Sequence, residues 1–232
     1  MKKNNKNKNE KKTREEKFLD QYYHRKTSRS PYVVAGIIIF ILFIMCLVVM
    51  TSLTSARKPA VYLYPEQDSI ISVKLNINGK LINDFPKYNN GWKVFATKQG
   101  LIDNQYDYLS YEAKLRRLDL PPTGWIVEFN DLEGWLDVNL INLGLNQKEK
   151  NQFKEYWLKE LPQSNYYEIR LLENSYLEKN MNLVVEPKPD TLIRLNFYLK
   201  PLKEIIKIKE PAITTPARNG FTVVEWGGIL DD

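Results

Sequence analysis

The side chains that could do acid–base or metal chemistry in this 232-residue chain are nearly all carboxylates and amines. One histidine, His24, and one cysteine, Cys46, both lie within the first fifth of the sequence. Residues 57–232 therefore lack the groups that form disulfides, Ser-His-Asp or Cys-His nucleophile systems, and ordinary zinc or copper sites. No phosphate-binding glycine-rich loop or EF-hand spacing occurs either, so we predict neither a cofactor nor a metal.

Carboxylates are the catalytic candidates that remain. Two facing Asp or Glu side chains can act as acid and base in glycoside hydrolysis, and clustered ones can bind calcium. Among the carboxylates that stand next to an aromatic residue in the sequence, the candidates are Glu112, Glu128 and Glu225. Residues 31–232 contain twenty-four acidic residues, so such neighbours also arise by chance, and we expect most of these charges to be solvated.

Residues near the two ends of the folded region are candidates for a binding site. Tyr62 and Tyr64 are two positions apart and share one strand face, where they either pack beneath helices or form a stacking platform. Glu225 and Trp226 point to opposite faces of the last strand. If that strand neighbours the first, we expect Glu225 to join the tyrosines and bind sugar hydroxyls or a cation; alternatively, it caps its own turn or pairs with Lys58. The predicted binding residues are Tyr62, Tyr64, Glu112, Glu225 and Trp226.

Alternating apolar and polar residues predict antiparallel strands in the first part of this region. Residues 71–77 alternate strictly, and Asn78-Gly79 directly after them is typical of a two-residue hairpin turn. Further strands are predicted over 60–64, 92–96, 106–112, 125–129, 167–171, 182–185, 193–199, 205–208 and 221–226.

Helical spacing replaces this alternation in the middle of the region. Leucines recur on one helical face between 132 and 143, and Gly144 then ends the first helix. Asn146 with Glu149 three positions later is typical of a capping box, and it opens a second helix that buries Trp157. The predicted fold class is therefore α+β: a single-pass N-terminal transmembrane helix, then an antiparallel sheet or β-sandwich with a helical hairpin packed on it.

The motifs at the two ends of the folded region resemble those of a protein family. Residues 58–65 read KPAVYLYP and residues 220–228 read GFTVVEWGG. They resemble the start and the end of a family of uncharacterised bacterial domains, secreted or membrane-attached, that begin with a KPVIYLYP-like sequence. Gly91-Trp92 and the segments 156–162 and 187–190 resemble its internal landmarks. The resemblance covers nearly all of 58–228 and implies a domain boundary, but it implies no activity.

An apolar segment precedes this region. Residues 32–50 are nineteen positions without a charge, an amide or a proline, and as a helix they would span about 28 Å, close to the thickness of a bilayer core. This length predicts a transmembrane helix over 31–52 that contacts the lipid bilayer through residues 32–50. A cleavable signal peptide is the alternative, because small residues stand at 54–56, but its apolar part would be unusually long.

Charge on either side of the apolar segment predicts an orientation. Residues 1–30 hold eleven Lys and Arg against four Asp and Glu, whereas residues 31–232 hold twenty-three against twenty-four. The basic side is expected to stay in the cytoplasm, which makes 1–30 a disordered cytoplasmic tail and 57–232 an extracytoplasmic domain of a cell-membrane protein. No element of the tail could read bases, so nucleic-acid binding is not predicted.

The predicted function follows from the anchor, the aromatic residues and the missing catalytic groups. The leading hypothesis is a membrane-anchored, non-catalytic domain that binds a protein or a glycan at the cell envelope. The alternatives are a carboxylate-based glycan hydrolase and a structural envelope protein without a ligand. Two facing carboxylates in a cleft would favour the hydrolase.

Overall fold

The computed structural model describes residues 14, 16–19, 21–22, 31–51 and 54–231. The chain divides into two compact units, Met1–Ser52 and Leu53–Asp232. The tail predicted over 1–30 lies largely outside the described residues, so its disorder stays a prediction.

Helix α1 (Pro31–Thr51) coincides with the apolar segment, and its side chains are described from Tyr32 to Leu42. Among the described residues, no helix combines the length and the apolar character that crossing a membrane requires. On this finding the predicted transmembrane helix is wrong. The bilayer contact, orientation and localisation that were built on that helix stay predictions.

The second unit is built mainly from strands. In its described part these are β1 (Thr54–Tyr64), β2 (Ser69–Ile77), β3 (Gly79–Phe85), β4 (Trp92–Ala96), β5 (Leu109–Leu115), β6 (Trp125–Glu128), β7 (Tyr166–Leu171), β8 (Met181–Glu186), β9 (Thr191–Leu202) and β10 (Thr222–Leu230). The helices of the same part are a 3-10 turn (Phe129–Asp131), α2 (Leu132–Asn142), α3 (Gln147–Glu160) and α4 (Asn174–Asn180).

Two sheets organise these strands. The larger has seven strands in the order β3-β5-β1-β10-β9-β7-β6, and the smaller has the order β4-β2-β8. Neighbouring strands are antiparallel except β9 and β10, which are parallel. A parallel pair needs a long crossover, and the residues between Leu202 and Thr222 supply it. The α+β character with a large sheet is confirmed, but the large sheet is mixed rather than antiparallel.

The large sheet is covered on both faces. One face packs against the small sheet and α4, and the other packs against α2 and α3, so each face has its own apolar core. All nine residues of β10, at the centre of the sheet, are buried. This two-sided burial explains why the segments that form β1 and β10 lack a clear alternation of apolar and polar residues.

The helical hairpin α2–α3 begins its second helix as the sequence predicts. The Asn146 side chain accepts a hydrogen bond from the Glu149 backbone N–H, and the Glu149 carboxylate accepts one from the Asn146 N–H. Phe153 and Trp157 lie on the buried face of α3. The capping box and the buried face of this helix are therefore confirmed.

The hairpin predicted at Asn78-Gly79 is wrong. β2 pairs with β4 and β8 in the small sheet, whereas β3 pairs with β5 in the large one, so the chain changes sheets at this dipeptide. A Cβ atom on Gly79 would lie 1.9 Å from the carbonyl oxygen of Lys114. Glycine is required here for close backbone approach and not for a tight turn.

The last strand is longer than predicted, because it continues through Gly227-Gly228 to Leu230. A Cβ atom on Gly228 would lie 2.6 Å from the Trp157 ring, so glycine lets α3 pack directly on the strand. The strand predicted over 205–208 is absent from the described structure; the next residue, Lys209, forms an isolated bridge with Thr123.

Candidate functional site

The two ends of the folded region meet in the sheet. β1 and β10 are antiparallel neighbours, with Val61 opposite Glu225 and Ala60 opposite Trp226. Tyr62 lies on the same face as Trp226, and Glu225 lies on the other face. The expectation that Glu225 would join the tyrosines is therefore wrong, because the register places Trp226 there.

Glu225 is the centre of a buried polar cluster between the two sheets. Its carboxylate accepts hydrogen bonds from the Tyr111 hydroxyl at 2.8 Å, the Arg194 guanidinium at 2.7 Å and the Asn196 amide at 2.9 Å. The side chain is 0% exposed, and burial raises the pKa of Tyr111 well above its ordinary value. Every partner is a group of the chain itself, so this cluster stabilises the core and offers no surface to a ligand.

The tyrosine pair of β1 packs beneath the helical hairpin. The Trp226 Nε1–H donates to the Tyr62 hydroxyl at 3.2 Å, which donates in turn to the Gln152 side chain at 2.7 Å. Tyr62 and Tyr64 stack with their planes 5° apart, and burial raises the pKa of both hydroxyls. Tyr62 is fully buried and Tyr64 is half-buried. Tyr62 and Tyr64 therefore pack beneath the helices, and they do not form a solvent-facing stacking platform.

An arginine in the β9–β10 crossover, Arg218, packs against the Tyr64 ring. The Arg218 guanidinium lies 5.1 Å from the centre of the Tyr64 ring and makes two 2.8 Å hydrogen bonds to the buried Glu149 carboxylate. Glu149 therefore serves both the cap of α3 and this ion pair. The arrangement secures the crossover to the helical hairpin.

A bulge in β1 places Lys58 away from the regular strand. The pairing register shifts between Arg57 and Ala60, and Lys58 has a positive φ of 45°. This conformation costs roughly 1–2 kcal/mol for a non-glycine residue and is often found at functional sites. The bulge brings the Lys58 ammonium over two rings, 5.4 Å from the centre of Tyr108 and 5.3 Å from that of Tyr156.

Lys58 lines a pocket at the β3–β5 side of the large sheet, which we call the Lys58 pocket. Its volume is about 260 Å³. The lining combines one cation, carboxylates, an amide, hydroxyls and aromatic rings: Lys58, Asn83, Asp84, Phe85, Tyr108, Ser110, Tyr111 and Glu112. This mixture of a few polar groups with ring surfaces is typical of small-ligand sites.

Glu112 is the predicted site residue that lies in this pocket with its carboxylate unengaged. It is half-buried, and within the described part of the chain no hydrogen bond or ion pair holds its side chain. Ser110 stands two positions earlier, on the same face of β5. The Asn83 side-chain Oδ1 accepts from the Asp84 N–H at 3.0 Å, and no described group accepts from the Asn83 side-chain N–H groups.

The two carboxylates of the pocket do not face each other. Asp84 is paired in register with Tyr111 and Asn83 with Glu112, so Asp84 and Glu112 project to opposite faces of the sheet. Asp84 is already engaged by the Lys87 ammonium at 2.9 Å and the Tyr88 N–H at 3.0 Å. An acid–base pair for glycoside hydrolysis is therefore not assembled here.

A second cavity lies at the ends of β6 and β7. It has a volume of about 430 Å³ and is lined by Glu128, Phe129, Asn130, Gln163, Ser164, Asn165 and Tyr166. Glu128 is the only carboxylate in this lining. The cavity does not contain the second carboxylate that hydrolysis by a pair would need.

Among the residues that the structure describes, no three His, Cys, Asp or Glu side chains gather as metal ligands. The Lys58 pocket offers one free carboxylate, which is fewer ligands than a calcium site uses.

The sequence identified some residues of this region and missed others. Glu112 was selected because it follows an aromatic residue, and it lines the pocket. Lys58 is predicted only as part of a motif and as an alternative partner of Glu225, and no sequence pattern singles out Asn83 or Ser110. The bulge that aims Lys58 is signalled only weakly, by Pro59, whose missing N–H interrupts a strand ladder.

Comparisons with known proteins give one partial likeness. No family model matches the chain, and no solved structure matches it. A protein of Butyrivibrio fibrisolvens described as "Uncharacterized protein in bglA 3'region" is 44% identical over 61 residues. The match covers 24% of this chain and 64% of that relative's length.

Proposed function

We propose that this protein is a non-catalytic binding protein whose ligand is a glycan held in the Lys58 pocket. The observation that carries the proposal is the free Glu112 carboxylate beside a half-buried hydroxyl, an amide and two ring surfaces in one concave site. Sugar hydroxyls donate to a carboxylate and accept from an amide or ammonium, and sugar C–H faces pack on aromatic rings.

The size of the pocket suits one sugar ring. Its volume of about 260 Å³ lies just below the range of about 300–1,000 Å³ that is typical of drug-sized ligands. Phe85 at the rim is 54% exposed, so its ring can contact a ligand unit that extends out of the pocket. A chain of sugars with one unit bound is consistent with both features.

The absence of an acid–base pair in the pocket supports binding over hydrolysis. Glu112 and Asp84, the two carboxylates that line the pocket, project to opposite faces of the sheet, and Asp84 is engaged by Lys87. The buried Glu225 is saturated by three partners. A structural protein without a ligand would not explain why Glu112 is left unpaired beside Lys58.

The proposal is tested on a glycan array probed with the full chain. Glu112→Gln keeps the shape and removes the charge, so it should lower binding to the recognised glycans about 10-fold or more. Glu128→Gln, in the second cavity, is the matched control and should bind like the parent. Loss in Glu128→Gln with none in Glu112→Gln, or no binding to any glycan, would overturn the proposal.

A further inference from the structure

We infer that the bound glycan is acidic: a sugar carboxylate pairs with the Lys58 ammonium while a hydroxyl of the same unit donates to Glu112. The inference rests on the proposed function and names the class of sugar. It follows from the position of Lys58, from two opposite charges that form no ion pair, and from the neutral polar groups that line the same pocket.

Lys58 is held in place without being neutralised. Its ammonium lies over the rings of Tyr108 and Tyr156, and no described carboxylate forms an ion pair with it. An ammonium has three N–H donors, and a carboxylate partner would accept hydrogen bonds from them. Contacts with ring faces hold the cation and leave these donors available. A strained backbone position that aims an unpaired cation into a pocket is suited to an anionic group of a ligand.

Glu112 lines the same pocket, but no ion pair joins it to Lys58. Burial and, to a smaller extent, the negative charges of Glu160 and Glu112 raise the pKa of the Tyr156 hydroxyl to about 12. The Tyr156 ring therefore stays neutral beneath Lys58. Two opposite charges that share a pocket without contact leave space for a group that accepts on one side and donates on the other. A uronic acid has both, with its carboxylate and its ring hydroxyls.

An acidic peptide would also satisfy Lys58, but it fits the rest of the pocket less well. A peptide carboxylate would pair with Lys58, but the peptide has no ring of hydroxyls to meet Glu112 and its neighbours. The Asn83 amide and the Ser110 hydroxyl are groups that bind hydroxyls, and the pocket volume fits one ring. A sugar acid is therefore the ligand that uses Lys58, Glu112, Asn83 and Ser110 together.

The test uses the full chain and oligomers of glucuronic, galacturonic and mannuronic acid, each with its methyl-esterified form. The ester keeps the ring, the linkage and the hydroxyls; it removes the charge and adds one methyl group. At least one acid should bind about 10-fold or more tightly than its ester by calorimetric titration. Lys58→Met should abolish that preference, and Lys58→Arg should retain it.

The outcomes separate this inference from the proposed function. If the esters bind as tightly as the acids and remain sensitive to Glu112→Gln, the acidic class is wrong and glycan binding stands. If no sugar binds, the proposed function fails as well. Binding of a tetraglutamate peptide that depends on Lys58, without sugar binding, would identify an acidic peptide as the ligand and would overturn both.

Discussion

Two glutamates that look alike in the sequence have opposite environments in the fold. Glu112 and Glu225 each stand next to an aromatic residue, and each was a candidate for binding. Glu225 is fully buried and held by three side chains, whereas Glu112 is half-buried and unengaged. Strand pairing decides this difference, and a single sequence does not reveal strand pairing.

The first prediction is that Glu225→Gln will destabilise the protein by roughly 3–5 kcal/mol. The change leaves the Arg194 guanidinium buried without a counter-charge, and breaking a buried pair from one side is costly. The free energy of unfolding is measured by urea titration. Glu112→Gln is the matched control and should stay within about 0.5 kcal/mol of the parent. Equal stability of Glu225→Gln and the parent would contradict the structural role.

At the scale of elements, local patterns predicted well and pairing partners did not. The capping box Asn146–Glu149 is satisfied within four residues, so the sequence alone revealed it. Asn78-Gly79 gave an equally strong hairpin signal, yet the glycine serves a contact with Lys114, which is distant in the chain. Interactions between residues that are close in the sequence can be predicted from one sequence, and interactions that depend on long-range packing cannot.

The second prediction concerns the contact between α2 and α3. Asp137 on α2 bonds to Lys150 and to Lys154 on α3 at 2.7 Å each, and these bonds lower the pKa of Asp137. A carboxylate with a lowered folded pKa stabilises the protein above its unfolded pKa of about 3.9 and loses that effect as pH falls through the folded value. Asp137→Asn should therefore cost at most about 1 kcal/mol at pH 7, because the site is partly exposed.

The measurement is a pair of urea titrations, at pH 7 and at about pH 3, where the difference between parent and variant should shrink. Asp103→Asn is the control for a carboxylate outside the helical hairpin. A cost that grows as the pH falls would contradict the assignment of the ion pair.

At the scale of the whole molecule, the pocket depends on parts that are far apart in sequence. Lys58 comes from a bulge in β1, Glu112 from β5 and Asn83 from β3, and Tyr156 is on α3. The α+β class and the helical hairpin could be predicted from periodicity. The change of sheets after β2, the parallel β9–β10 pair and the pocket could not, because each depends on the order of strands in the large sheet.

The third prediction is that residues 53–232 fold without the rest of the chain. The fragment should unfold cooperatively, with a midpoint indifferent to reductant because it contains no cysteine. A shorter fragment, 58–232, is the control: it lacks the buried Ala56, which pairs with Ile229 and Ala113. We expect it to lose about 2 kcal/mol, lowering Tm by about 4–8 °C. Equal melting temperatures of the two fragments would contradict the stabilising role of the strand pairing at Ala56.

The central claim is that the Lys58 pocket binds a glycan and leaves it intact. The most direct measurement is a calorimetric titration of the full chain with an acidic oligosaccharide, followed by mass spectrometry of the same sample after prolonged incubation. We expect saturable one-site binding that Glu112→Gln and Lys58→Met both weaken, and an oligosaccharide of unchanged mass. Shortened products that disappear in Glu112→Gln, or binding that neither variant alters, would contradict it.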